Sequence, residues 1–176
     1  MSKTTITLNI KNNDVDQCKS FANKVVDQTY NRFKKNLIER KRRIFYGKIG
    51  EVIFYNYLIS LGKKLDNSEM FKVFQGEQNV DSFDFKTLDG KTIDIKTAYQ
   101  SFHNRIIIPE DQYENNNAKD FYVGVKVFFK EKIAKIYGYT SGKNLLLNTK
   151  QNFGEGNAYW EYLDTLSNIK NLVSQM

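Results

Sequence analysis

Between residues 14 and 37 the apolar positions Val15, Phe21, Val25, Val26, Tyr30, Phe33 and Leu37 recur mostly at three or four residues, and this spacing predicts a helix. A short strand, 5–10, precedes it. From residue 43 to 61, Ile44, Phe45, Ile49, Val52, Ile53, Phe54, Tyr57, Leu58 and Leu61 surround almost the whole circumference, which predicts a second, buried helix ended by Gly62. Past Leu65 the period shortens to two. Residues 71–74 read as a short strand, 82–88 with 91–99 as one hairpin, and 121–130 with 132–140 as another. The tail reads as a helical patch, a strand over 158–163 and an amphipathic end over 164–173, with polar loops at 75–81 and 110–119. This order predicts an α/β (α+β) fold with one central mixed β-sheet flanked by helices.

Nothing rich in Pro, Gly or Ser marks a domain boundary. The expectation is a single domain over 1–176, with an N-terminal strand and helical segment to residue 40, a core over 41–140 and a C-terminal extension. The 40% hydrophobic and 14% aromatic content exclude a disordered chain, and the single Pro argues against extended linkers. Cys18 and His103 each stand alone. A disulfide within the chain and a cysteine-rich zinc site are thereby excluded, and any catalytic triad would have to use that one imidazole. Chemistry then rests on carboxylates and lysines. The start of the chain lacks the apolar core of a signal peptide, and no apolar run nears the ~20 residues of a membrane span, so a soluble cytoplasmic protein with no membrane partner is expected.

The net charge of +7 favours a polyanionic partner, with nucleic acid first. Much of that charge is local. Seven of the twelve residues 32–43 are Lys or Arg, and Glu39 is the one acid among them. A solvated helix face is the plain reading of such a run. Its neighbour is less plain, because Glu51 lies within the apolar helix with Phe54, Tyr55 and Leu58 on its side of the wheel. A carboxylate buried there requires a cation or strong donors, and Lys48, one turn back, is the simplest candidate.

The stretch from Val80 to Thr97 holds the remaining chemistry. A two-residue Asp89-Gly90 loop would set Asp84 opposite Ile95 and put the two acids on opposite faces. A three-residue loop, Leu88-Asp89-Gly90, with Gly90 left-handed, instead pairs Phe85 with Ile93, sets Asp84 against Asp94 and is preferred because it segregates the faces cleanly. Phe83, Phe85, Ile93 and Ile95 then share one face, and Asp84, Lys86, Asp94 and Lys96 the other. Two carboxylates facing each other repel unless a cation lies between them. Two hard oxygen ligands suit Mg²⁺ with waters left on it, and an ammonium beside it can orient the attacking water and stabilise charge on a phosphate. A surface strand with a cross-strand ion pair is the plainer alternative.

These residues resemble the PD-(D/E)xK nuclease superfamily, the restriction-endonuclease-like fold. Its helix glutamate, strand Asp and acid-x-Lys triplet match Glu51, Asp84, Asp94 and Lys96, and Gly47-Lys48-Ile49-Gly50-Glu51 looks like its helix motif. Residues 118–125 and 136–139 resemble the core strands that follow, so the resemblance spans about residues 40–140. No Pro precedes the first Asp, and Asp81 competes with Asp84 for that place. The resemblance implies Mg²⁺-dependent cleavage of DNA, with Mn²⁺ able to substitute. Asp84, Asp94, the Ile95 carbonyl and Glu51 would serve the metal, Lys96 the attacking water, and Arg40, Lys41, Arg42, Arg43 and Lys48 the DNA backbone. A two-fold pair of chains would be the simplest way to cut both strands. A module of the same fold that binds nucleic acid without cutting, or a structure-specific nuclease of the junction-resolvase kind, are the alternatives.

Overall fold

In the computed structural model the chain is described over residues 5–27, 36–63, 70–73, 83–114 and 118–176. Strand β1 (Ile6–Asn9) leads into helix α1 (Asn12–Val25), whose Cys18, Ala22 and Val25 form a buried stripe at spacings of four and three. Helix α2 (Leu37–Ser60) follows. Leu37, expected to close the first helix, instead opens the second, and the basic residues 40–43 lie within the second helix's first two turns. Asn36 explains the boundary, since its side chain accepts the Glu39 N–H at 2.9 Å and caps the helix.

The chain then forms the hairpin of β2 (Phe85–Lys86) and β3 (Thr92–Ala98), strand β4 (Arg105–Pro109) and the short helix α3 (Glu110–Glu114). Strands β5 (Phe121–Phe128) and β6 (Ile133–Ser141) form the second expected hairpin, turning at Lys132 with φ 53°. The end of the chain carries α4 (Gly142–Leu145), β7 (Gln151–Asn152), β8 (Asn157–Tyr162) and α5 (Ile169–Val173). Residues 70–73 contain no strand, and Phe74 lies outside the described residues.

The fold is α+β, with a five-stranded mixed sheet in the order β1-β6-β5-β3-β2 flanked by helices. β3 and β5 run parallel, and the other neighbours antiparallel. A second sheet, β4-β8-β7, was not expected from the sequence. The chain between the two parallel strands includes β4, which leaves the main sheet to pair with β8 (Ile107 opposite Trp160). Among the described residues no helix is long and apolar enough to cross a membrane.

The main sheet separates two cores. Ile93 and Ile95 of β3, with Val123, Val125 and Val127 of β5, join Ile49, Ile53, Phe54 and Leu58 of α2 in one cluster. The opposite face sends Ala98 and Tyr122 into a second cluster with Ile106, Ile108, Tyr159, Leu163 and Leu166. Alternation along β3 therefore directs odd positions to the helix layer and even positions, Asp94 and Lys96 included, toward the small sheet. Gly50 sets the approach of α2 to β3. A Cβ there would lie 1.9 Å from Thr97 Oγ1, closer than any side chain permits.

Candidate functional site

The register of the first hairpin is the one that brings the two aspartates together. Phe85 pairs with Ile93 and Lys86 with Thr92, while the Thr87 N–H donates to the Lys91 carbonyl at 2.9 Å and Gly90 takes φ 82°. Leu88-Asp89-Gly90 thus forms the three-residue loop with a left-handed glycine. Asp84 stands one residue before the paired stretch, at the position facing Asp94. Its N–H donates to the Ile93 carbonyl at 2.9 Å, and its carboxylate accepts the Ile95 N–H at 2.7 Å. A side chain thereby takes the place that a further residue of β2 would fill in the ladder. Since the Lys91 and Ile93 carbonyls face β2, the two-residue alternation directs the Ile95 carbonyl to that same side, next to Asp84.

Burial holds the Asp84 carboxyl well above the usual carboxylate range, and the nearby anions Glu51 and Asp94 push it further up. The Ile95 N–H and the Lys48 ammonium act in the opposite sense. The two acids that crowd Asp84 come from different layers. Glu51 belongs to α2 on the helix side of the sheet, and Asp94 points to the other face of β3.

Each of those acids has a lysine. Lys48 Nζ lies 2.6 Å from Glu51 Oε2, donates to the Met70 carbonyl at 2.7 Å and sits over the Phe21 ring at 4.8 Å. Only 5% of the Lys48 side chain is exposed. The sequence-based assignment of Lys48 to the DNA backbone therefore needs correction, because its ammonium is turned inward to Glu51 and the 70–71 turn. Lys96 Nζ lies 2.5 Å from Asp94 Oδ2 and 3.4 Å from Gln112 Oε1 of α3. Lys119 joins the group from the segment before β5. Burial lowers the pKa of its ammonium, Asp94 and Asp84 oppose that shift, and Lys96 adds to it. Gln112 and Lys119 were not assigned to the site from the sequence. Both fall in the polar stretch 110–119, which has no periodicity to place them.

The basic start of α2 is tied into the fold. Arg43 makes a two-pronged contact with Glu155 at 2.6 and 3.0 Å and reaches Glu39 at 3.1 Å; Arg42 meets Glu39 at 2.5 Å and lies over the Tyr99 ring. Arg42 is exposed, whereas Arg40, Lys41 and Arg43 are half-buried. Asp81, the competitor of Asp84, lies outside the described residues, as do Arg32, Lys34 and Lys35 of the basic run.

Among the described residues no three His, Cys, Asp or Glu side chains stand close enough to share one ion. Comparisons with protein-family models, curated proteins and solved structures return no match. The two-aspartate hairpin end, its two lysines and the glutamate behind it therefore stand on their own chemistry.

Proposed function

We propose that this chain is a metal-dependent nuclease that hydrolyses phosphodiester bonds of DNA. The observation that carries the reading is the end of the first hairpin. There a desolvated Asp84, crowded by Glu51 and Asp94, lies beside a backbone carbonyl and within one strand of the Lys96 ammonium. A crowded group of hard oxygen donors fits Mg²⁺ or Mn²⁺, which take one or two protein carboxylates and keep several waters. Asp84, Asp94 and the Ile95 carbonyl would hold the ion, with Glu51 supporting its water shell. When bound, the ion supplies Lewis-acid activation of water and of the phosphoryl oxygen.

The chain's own residues do the rest. Lys96 holds a positive charge where a phosphate would approach Asp94, orients the attacking water and offsets the charge that develops on the phosphoryl group. Gln112 steadies that ammonium from α3, and Lys48 holds the Glu51 carboxylate in a 2.6 Å ion pair. Residues 40–43 offer charge to the DNA backbone where α2 begins. A second reading, a module of this fold that binds without cutting, draws on the 2.5 Å pairing of Lys96 with Asp94, which a structural ion pair would also produce.

Substitution Asp94→Ala separates the two. A nuclease loses Mg²⁺-dependent nicking of supercoiled plasmid by at least ~100-fold, since a metal ligand stabilises the transition state by several kcal/mol, and still shifts DNA on a gel. Wild-type protein that binds DNA but nicks it with neither Mg²⁺ nor Mn²⁺ establishes the binding module instead.

A further inference from the structure

A cavity of about 500 Å³ opens between β3 and β4, lined by Lys96 at one end and reaching Arg43, Arg105, Phe153 and Glu155 at the other. It shares Lys96 with the candidate catalytic group and reaches Gly47 of α2 and Tyr99 just past the end of β3, while the acids Asp84, Asp94 and Glu51 do not line it. Its charged lining consists of three cations and one acid, Glu155, which already meets Arg43.

Arg105 is the unusual member. Its guanidinium carbon lies 4.7 Å from the centre of the Tyr162 ring, 4.9 Å from Trp160 and 5.5 Å from Phe153, and one terminal nitrogen donates to the Tyr162 hydroxyl at 3.1 Å. Its Nε is buried and has no hydrogen-bond partner, and no ion pair to Arg105 is formed among the described residues. A permanent cation with no carboxylate partner among the described residues is suited to receive an anion that enters the cavity Arg105 lines. Two flat groups stand nearby. Phe102 is 73% exposed at the cavity and packs edge-on against His103 with ring centres 4.8 Å apart. The His103 Nδ1 accepts the Tyr99 and Gln100 N–H groups at 3.5 and 3.4 Å, which holds the imidazole in place.

We propose that this cavity is a subsite for one unpaired nucleotide of a DNA strand, next to the phosphate that would be cut. The phosphate is received by Arg105 and the base stacks on Phe102. The occupant follows from the combination present: cationic donors for a phosphodiester, an exposed ring for a base, and a volume that admits a nucleotide but not the width of a duplex. The consequence is a preference for single-stranded or frayed DNA over an intact duplex. The inference deepens the nuclease reading and rests on it for its location, but its test reads binding and not cleavage.

The experiment measures fluorescence anisotropy of wild type, Phe102→Ala and Arg105→Lys in EDTA. The ligands are a labelled 12-nucleotide single strand, the matching blunt duplex, and deoxyadenosine monophosphate as competitor. Phe102, largely exposed, can be replaced without disturbing the core, and Arg105→Lys keeps the charge while removing the flat fork and its Nε. The single strand is expected to bind wild type more tightly than the duplex. Phe102→Ala should weaken the single strand at least about fivefold, as loss of one stacked base does, and leave duplex binding unchanged. Equal affinity for both DNAs in all three proteins overturns the subsite, and so does binding of the mononucleotide alone. If Asp94→Ala abolishes cleavage while Phe102→Ala leaves strand preference intact, the nuclease reading stands and the subsite falls. If no protein cleaves but the preference depends on Phe102 and Arg105, the subsite stands and the nuclease reading falls.

Discussion

Replacing Gly50 with Ala probes the contact that sets Glu51 relative to β3. The new Cβ would lie 1.9 Å from Thr97 Oγ1, 3.1 Å from its Cβ and 3.3 Å from its Cγ2, where atoms settle at about 3.5–4.0 Å. Thr97 is β-branched, so turning χ1 tends to exchange one γ atom for another without clearing the space. Helix and strand must separate instead. Overpacking of a fitted contact costs roughly 1–3 kcal/mol, and an overlap this deep belongs at the upper end. Exchange of Gly for Ala inside a helix returns about 1 kcal/mol. The net expectation is a loss of about 2 kcal/mol, or a melting temperature lower by roughly 4–8 °C for a chain of this size. The same substitution in a Thr97→Ala background meets only the 3.1 Å Cβ contact, so the loss should shrink to near zero or change sign. Thr97→Ala alone should be neutral or stabilising, because Thr97 Oγ1 is buried without a hydrogen-bond partner. Thermal melts of the four proteins give the coupling energy, about 2 kcal/mol. Equal losses from Gly50→Ala in both backgrounds would refute the close approach of α2 to β3 at this point.

Asp84→Asn tests the crowding of acids. Because folding raises the Asp84 pKa, the native state binds more protons than the unfolded chain between the two values. Stability from this group therefore falls as pH rises from the ordinary carboxylate pKa through the raised one. Melts in EDTA across pH 4–8 should show Asp84→Asn losing that decline and gaining on wild type toward neutral pH; parallel curves would remove the electrostatic account. Lys48→Met should cost about 3 kcal/mol, since it strips the cation from the largely buried Glu51 carboxylate, and the double change Lys48→Met/Glu51→Leu should recover most of it. Urea titration measures both, and a double variant as unstable as the single one would show that packing around Lys48, not its charge, is at stake.

The parts of this fold that could be read from the sequence are those with a strong local period or a decisive turn. Gly90 after Leu88-Asp89 fixed the hairpin register, and with it the meeting of Asp84 and Asp94. The apolar circumference around Ile49 to Leu58 marked the buried helix. Its start was misplaced because basic residues 40–43 carry no periodic signal, while the decisive feature was a single capping side chain, Asn36. The small sheet was missed because Arg105-Ile106-Ile107-Ile108-Pro109 is short and finds its partner, Asn157–Tyr162, some fifty residues further on. For the candidate site, spacing placed Asp94 and Lys96 on one strand face and offered Lys48 as the partner of Glu51, which it is, but it also offered Lys48 to the DNA backbone. The inward turn of Lys48 depends on Phe21 and Met70, which belong to other parts of the chain.

The pairing of β1 with β6 bears on the order in which the protein can assemble. Ile6 finds its partner at Ile136, and β3 finds its parallel neighbour only when Phe121–Phe128 is present. A ribosome therefore exposes the first strand and the apolar faces of α1 and α2 well before the strands that cover them are made. Until β5 emerges, Asp94 and Lys96 lie on a strand with one short neighbour, and the hairpin end cannot hold its carboxylates in place. Nascent chains halted before residue 121 should thus contain every acid of the candidate centre and have none of its arrangement.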